Sequence, residues 1–138
     1  MSVKGGLAAH LKADAAVSAI VGDRVYIAPV PQAKPLPFVV FRREGTDHIR
    51  SLAGPSGLRR SEFDLMCYST DSAEVEQLGE AVRLALDGWS GVWSSIRVTN
   101  VFVEEMDDAE IADQEGGEEV IFQVEIPIVV WHVESVPS

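Results

Sequence analysis

Between residues 59 and 86 the chain changes its period, and the change dictates how this stretch can pack. Residues 61–68 alternate, with Phe63, Leu65 and Cys67 on one side and Glu62 and Asp64 on the other, the period-2 pattern of a half-buried strand. From Ser72 onward Val75, Leu78, Val82, Ala85 and Leu86 recur at helical spacing, while Glu74, Glu76, Glu80 and Arg83 fall outside that stripe. Asp71 or Ser72 suits the first turn, because a side-chain oxygen there accepts a backbone N–H that has no intrahelical partner, and Gly88 suits the end. A strand with one apolar face, followed at once by a helix with one apolar stripe, buries both by folding the helix onto the strand. The unit is a scaffold and carries no arrangement of reactive side chains.

The rest of the chain reads as sheet and loop around this unit. Residues 7–20 are Ala-rich with Leu7, Leu11, Ala15 and Ile20 in phase, which predicts a helix, broken near Asp14 and ended by Gly22. A short strand follows at 23–27, then a connector at 29–37 too dense in proline for a helix or a central strand. Residues 38–43 are a strand, and 45–57, containing Gly54, Pro55, Ser56 and Gly57, read as a long hairpin loop. Residues 87–93 form a glycine-hinged turn whose Trp89 and Trp93 are placed to lid the core. A strand at 95–106 changes phase near Asn100, a second long loop spans 107–117, and a last strand runs from 118 to 133. That last strand is apolar on both faces toward its end and contains Pro127, which has no N–H to give a ladder, so it is expected at a sheet edge or at a bulge. An apolar edge strand needs a cover, and a neighbouring subunit can supply one. The expected architecture is one α+β domain over 1–138: a single antiparallel sheet with two main helices on one face, long hairpin loops, and loose ends at about 1–4 and 134–138.

Bulk properties narrow the class. With 138 residues, 46% of them apolar and 24% charged, the chain suits one globular domain and argues against global disorder. No apolar run approaches the roughly 20 residues that span a bilayer, and the first residues lack a signal-peptide core, so a soluble protein made in the cytoplasm is expected. The single cysteine, Cys67, cannot form an intramolecular disulfide or a multi-cysteine metal site.

Catalytic signatures are missing from the sequence. His10, His48 and His132 have no partner at metal-ligand spacing, and neither Ser56 nor Ser90 sits in a nucleophile-elbow pattern. No phosphate-binding glycine loop or dinucleotide fingerprint is present. Carboxylates are dense from 107 to 119, but their spacing does not match a calcium loop, and such runs are usually solvated.

The informative feature is the distribution of charge. The formal net charge is −11, yet Arg42, Arg43, Arg50, Arg59 and Arg60 lie together against Glu44 and Asp47. Residues 104–119 hold Glu104, Glu105, Asp107, Asp108, Glu110, Asp113, Glu115, Glu118 and Glu119 and no basic residue. The basic arm lacks the interleaved aromatics of single-strand nucleic-acid binders, and Glu44 and Glu62 are placed to pair with it internally. The alternative is pairing between copies, the basic arm of one meeting the acidic arm of the next. The subunit-interface candidates are then Arg42, Arg43, Arg50, Arg59, Arg60, Glu104, Glu105, Asp107, Asp108, Glu110, Glu118 and Glu119, with Val129 and Trp131 as the apolar area.

Residues 11–26 (LKADAAVSAIVGDRVY), the Pro-Gln connector, Pro37 to Phe41, the strand and helix at 63–86 and the apolar-alternating closing strand together resemble the tail-completion or tail-terminator proteins of long-tailed bacteriophages, minor tail proteins that join head and tail. The resemblance runs from about 7 to 128. It implies an α+β subunit of a homo-oligomeric ring, commonly a hexamer, at the head-proximal end of the tail tube, ending tail growth and joining tail to head. It implies a structural virion protein, not an enzyme, with no cofactor and no catalytic residues. The implied partners are other copies of itself, the tail tube protein and the head-tail connector, with DNA passing through the pore without specific binding and no membrane involved. Assembly in the host bacterial cytoplasm and residence in the virion follow. The acidic loop is longer than the short hairpin expected there. An acidic monomeric adaptor or binding module, or a small cation-dependent enzyme, are the alternatives.

Overall fold

A computed structural model describes residues 3–29, 35–51, 54–106, 108–113 and 120–133, and at 46–51, 54–56 and 112–113 the backbone alone. The elements in chain order are α1 (Val3–Ala13), α2 (Ala15–Val21), β1 (Val25–Ile27), β2 (Phe38–Ser51), β3 (Gly54–Ser69), α3 (Ser72–Leu86), β4 (Gly91–Trp93), β5 (Ile96–Val103), β6 (Glu110–Asp113) and β7 (Ile121–Val133). The sheet order is β1-β2-β3-β7-β5-β4, with β6 also paired to β7.

The α+β class is as expected, and α3 folds back onto β3 as its periodicity requires. Asp71 caps α3 by accepting the Ala73 N–H at 3.0 Å, and Gly88 follows the helix with φ of 76°. Phe63, Leu65 and Cys67 are buried beneath Val75, Leu78, Val82 and Leu86. Val39, Phe41, Val101, Val124, Ile126, Ile128 and Val130 extend the same face, and Leu7, Leu11 and Val17 cover its other half. Phe41 and Phe63 meet edge to face at 5.9 Å. Each such side chain, taken fully out of water, contributes about 1.5–3 kcal/mol before entropy is counted.

The N-terminal helix is two helices, so three rather than two main helices cover the sheet. Asp14 leaves helical geometry at φ −72° and ψ 128° and its carboxylate accepts the Val17 N–H at 3.0 Å, which ends one helix and starts the next. Helix α1 begins at Val3, only 2% exposed, where a loose end was expected through residue 4. Residues 134–138 lie outside the described residues.

Three expectations about the sheet are corrected. First, β1 runs parallel to β2, so the sheet is antiparallel everywhere except at this edge. A parallel pair needs a crossover between its strands, where a tight hairpin would have made the pair antiparallel. Second, the expected loop at 45–57 is mostly strand: β2 and β3 stay paired out to Ser51 opposite Gly54, with register shifts near Glu44 and Ile49 absorbing the mismatch. The second expected loop likewise contains β6. Third, β7 is central, flanked by β3 on one side and by β5 and then β6 on the other. Pro127 is tolerated because its carbonyl accepts the Glu104 N–H at 2.9 Å, so its missing N–H faces that same flank, where β5 has ended and β6 has not begun. The phase change near Asn100 is present as a register shift between Val98 and Asn100.

Candidate assembly surface

Helices cover one face of the sheet, and the opposite face displays the chain's charged rows. There Arg60 on β3 lies opposite Trp131 on β7, which lies opposite Asn100 on β5, and the next row is Glu62, Val129 and Phe102. Strand alternation puts Arg42 and Asp64 on this face as well, while Arg43 and Arg59, one residue out of phase, turn to the helix side. Arg43 stacks over the Phe63 ring at 5.4 Å.

The basic arm is thus divided between two faces, and part of it is neutralised within the chain. Arg42 Nε donates to Glu44 Oε1 at 2.8 Å, and Arg60 pairs with Glu62 while its guanidinium lies 6.0 Å from the Trp131 ring centroid. Arg50 lies on β2 with its side chain outside the described residues, and Asp107, Glu118 and Glu119 lie outside them altogether. Glu104, Glu105, Asp108 and Glu110 are exposed. Val129 is only 4% exposed and has little area left for a partner. Phe102, 54% exposed beside it, is the apolar side chain this face presents. A straight alternation from Ile96 would bury Phe102, and the bulge turns it out.

Between the two Arg–Glu pairs lies a cleft of about 240 Å³ lined by Glu44, Glu62, Asp64, Glu104, Glu125 and Pro127. Asp64 Oδ1 is buried with no hydrogen-bond partner, because the carboxyl facing it, Glu125, is also an acceptor unless one of them takes a proton. Burial first, then the proton shared with Glu125 and the repulsion of Glu125 and Glu44, push the Asp64 carboxyl up to about 6, against the opposing pull of Arg42. Among the described residues no group of three or more His, Cys, Asp or Glu is placed to hold a metal ion, and most of the acidic loop lies outside them.

His10 and His132 serve packing rather than a surface, and the side chain of His48 lies outside the described residues. Ser61 Oγ and His132 Nε2 are 2.8 Å apart, but at 0% and 1% exposure no substrate can reach them, so the pair satisfies polar groups inside the core. His10 Nε2 lies 2.9 Å from the Ala85 carbonyl, and its ring packs at a tilt against Trp89, 4.4 Å between centroids, tying α1 to α3 and the tryptophan turn. Trp89 and Trp93 stack at 5.3 Å, and Trp93 is 6% exposed, which closes the core as expected. Among the described residues no helix is long and apolar enough to cross a membrane.

The family model described as tail completion protein gp17 matches residues 5–128. The chain belongs to the tail completion protein family. This is the family suggested by the turn at Gly22, Asp23 and Arg24 and by the strand-helix unit, and its members are structural proteins of phage virions. Among solved structures, a chain titled "Virion of native gene transfer agent (GTA) particle" superposes with a TM-score of 0.72 at 20% identity, covering 96% of this chain and 95% of its own. That likeness is one of fold. No curated protein matches.

Proposed function

We propose that this tail completion protein assembles into a closed homo-oligomeric ring, a hexamer, at the head-proximal end of a phage tail tube, where it stops tube growth and forms the joint with the head connector. The observation that carries this reading is the family match across nearly the whole chain. The fold is compatible with it. A ring closes through heterologous contacts, in which one patch meets a different patch on the next subunit, and this chain has a basic arm and an acidic arm on separate elements. Past Leu58, the last β3 residue paired to β7, β2 and β3 continue as a two-stranded ribbon among the described residues. Such a ribbon is marginal alone in water and gains from a partner.

In this reading the ribbon of one subunit, with Arg59 at its base and Arg43 farther back on the sheet, meets the segment holding Glu104, Glu105, Asp108 and Glu110 of the next. Arg42 and Arg60 are engaged within the chain as well, by Glu44 and Glu62. Phe102 and Trp131 supply apolar area in place of Val129. The excess of acid keeps DNA from adhering as it passes through the pore, and no catalytic step is assigned. The protein is assembled in the host cytoplasm and retained in the virion.

Particles made without this protein test the role. Separate heads and tails are expected, with tails of irregular length, and adding the purified protein is expected to restore joining. Normal, infectious particles in its absence would contradict the proposal.

A further inference from the structure

We infer that the outer edge of β2 receives strand β6 of a second copy, so that the copies are joined by a backbone ladder with charge only at its rim. The inference rests on the ring reading above and adds the mode of contact.

Strand β1 covers the outer edge of β2 only at Val39, Val40 and Phe41. Beyond Phe41, β2 continues to Ser51, and no described residue pairs with it on that side. The direction of its backbone groups follows from the contacts that are made. The Val39 N–H donates to the Arg24 carbonyl and the Phe41 carbonyl accepts the Ala28 N–H, so these residues face outward, and alternation continues that to Arg43. The bulge at Glu44 shifts the phase by one, which turns the backbone groups of Thr46 and His48 to the same edge.

Strand β6 is the complementary piece. The Pro127 carbonyl accepts the Glu104 N–H, so the odd-numbered residues of β7 address this flank, and Gln123 therefore engages Glu110. The next residue, Ile111, points its N–H and C=O away from β7, and its side chain is 55% exposed.

A long open edge invites indiscriminate pairing, and bulges and charges normally blunt it. Here the register shifts near Glu44 and Ile49 leave only residues 45–48 as regular edge, a length that rejects long strands and suits a strand of 4 residues such as β6. Charge selects between the candidate edges. Two β2 edges repel through their arginines, and β1 and β4 carry no acidic residue, whereas β6 lies in the acid-only segment.

Ile111→Pro tests this, because it removes the outward N–H while leaving charge and the β6–β7 ladder in place. The dissociation constant of the assembly, measured by sedimentation, is expected to rise at least tenfold, with Ile111→Val unchanged and circular dichroism confirming a folded subunit. Amide exchange on the wild-type protein decides the matter even where the proline variant fails to fold. Protection of the Arg43, Thr46, His48 and Ile111 N–H groups is expected on assembly and not in the dilute monomer. Protection already present in the monomer would overturn the inference and assign the edge to residues 30–34 or 134–138 of the same chain. An assembly broken by Arg59→Glu with Arg60→Glu but indifferent to Ile111→Pro, with no gain in protection, would leave the ring standing and overturn strand addition alone. A wild-type chain that never assembles would remove both.

Discussion

Replacing Gly6 with alanine sets helix propensity against packing, and the structure decides which wins. Gly6 lies inside α1, where alanine is intrinsically better than glycine by up to about 1 kcal/mol. A Cβ at that position would lie 2.6 Å from Trp93 Cβ, 2.8 Å from Cγ and 2.9 Å from Cδ2. The nearest of these is bonded to the backbone of β4, so no rotamer change relieves the contact. The ring cannot yield either, because Trp89 stacks on it and His10 lies 5.8 Å away. Helix and strand must separate, and overpacking of this kind costs about 1–3 kcal/mol or more. The net expectation is a loss of about 1–2 kcal/mol, a fall in Tm of roughly 3–8 °C for a chain of this size. Gly79→Ala is the internal comparison: it offers the same helical gain, but its nearest neighbour, at 3.0 Å, is Val124 Cγ1, a methyl at the end of a side chain. Thermal melts at one fixed protein concentration should rank wild type and Gly79→Ala close together and Gly6→Ala clearly lower. A Gly6→Ala protein as stable as wild type, or less affected than Gly79→Ala, would refute the reasoning.

Two further outcomes follow from the groups whose protonation the fold shifts. Asp64 holds its proton more tightly folded than unfolded, so its ionisation disfavours the fold: the penalty is absent below about 3.8 and fully present above about 6. Asp64→Asn should therefore raise Tm at pH 7.5 and change it little at pH 4, by less than the full shift implies because the group is partly solvated; an equal effect at both pH values would count against the assignment. Burial pushes the Cys67 thiol up to about 12, so a thiol reagent at pH 8 should label the native protein only as fast as it unfolds, and rapid labelling would show that the strand face is accessible.

What could be read from the sequence was local. The burial of Phe63, Leu65 and Cys67 and the stripe of α3 follow from two periods written side by side, and the breaks at Asp14 and Gly22 follow from cap chemistry within one turn. Residues 45–57 looked like a loop because glycine, proline and charge dominate there. Residues 45–48 are an outer strand of the sheet and 50–55 a two-stranded end, however, and neither needs a continuous apolar run, so their pairing leaves little hydrophobic signal. The central place of β7 was hidden because Pro127 is harmful only if a neighbour needs its N–H, and that depends on where β5 stops. The Asp64 and Glu125 pair, and the cleft around it, exist only through the register of β3 on β7, which sequence spacing does not specify. Val129, expected as exposed apolar area, is buried by cross-strand cover, which depends on that same register.

The claim on which the functional account depends is that copies of this chain close on one another through oppositely charged arms. Native mass spectrometry across a concentration series, with electron micrographs of the same sample, measures it directly. The account predicts one dominant closed ring, a hexamer with an axial channel. The double variant Arg59→Glu, Arg60→Glu is expected to shift it toward monomer, most strongly at low salt, where repulsion is least screened. A protein that stays monomeric at every concentration, or a ring that the double charge reversal leaves intact, would contradict it.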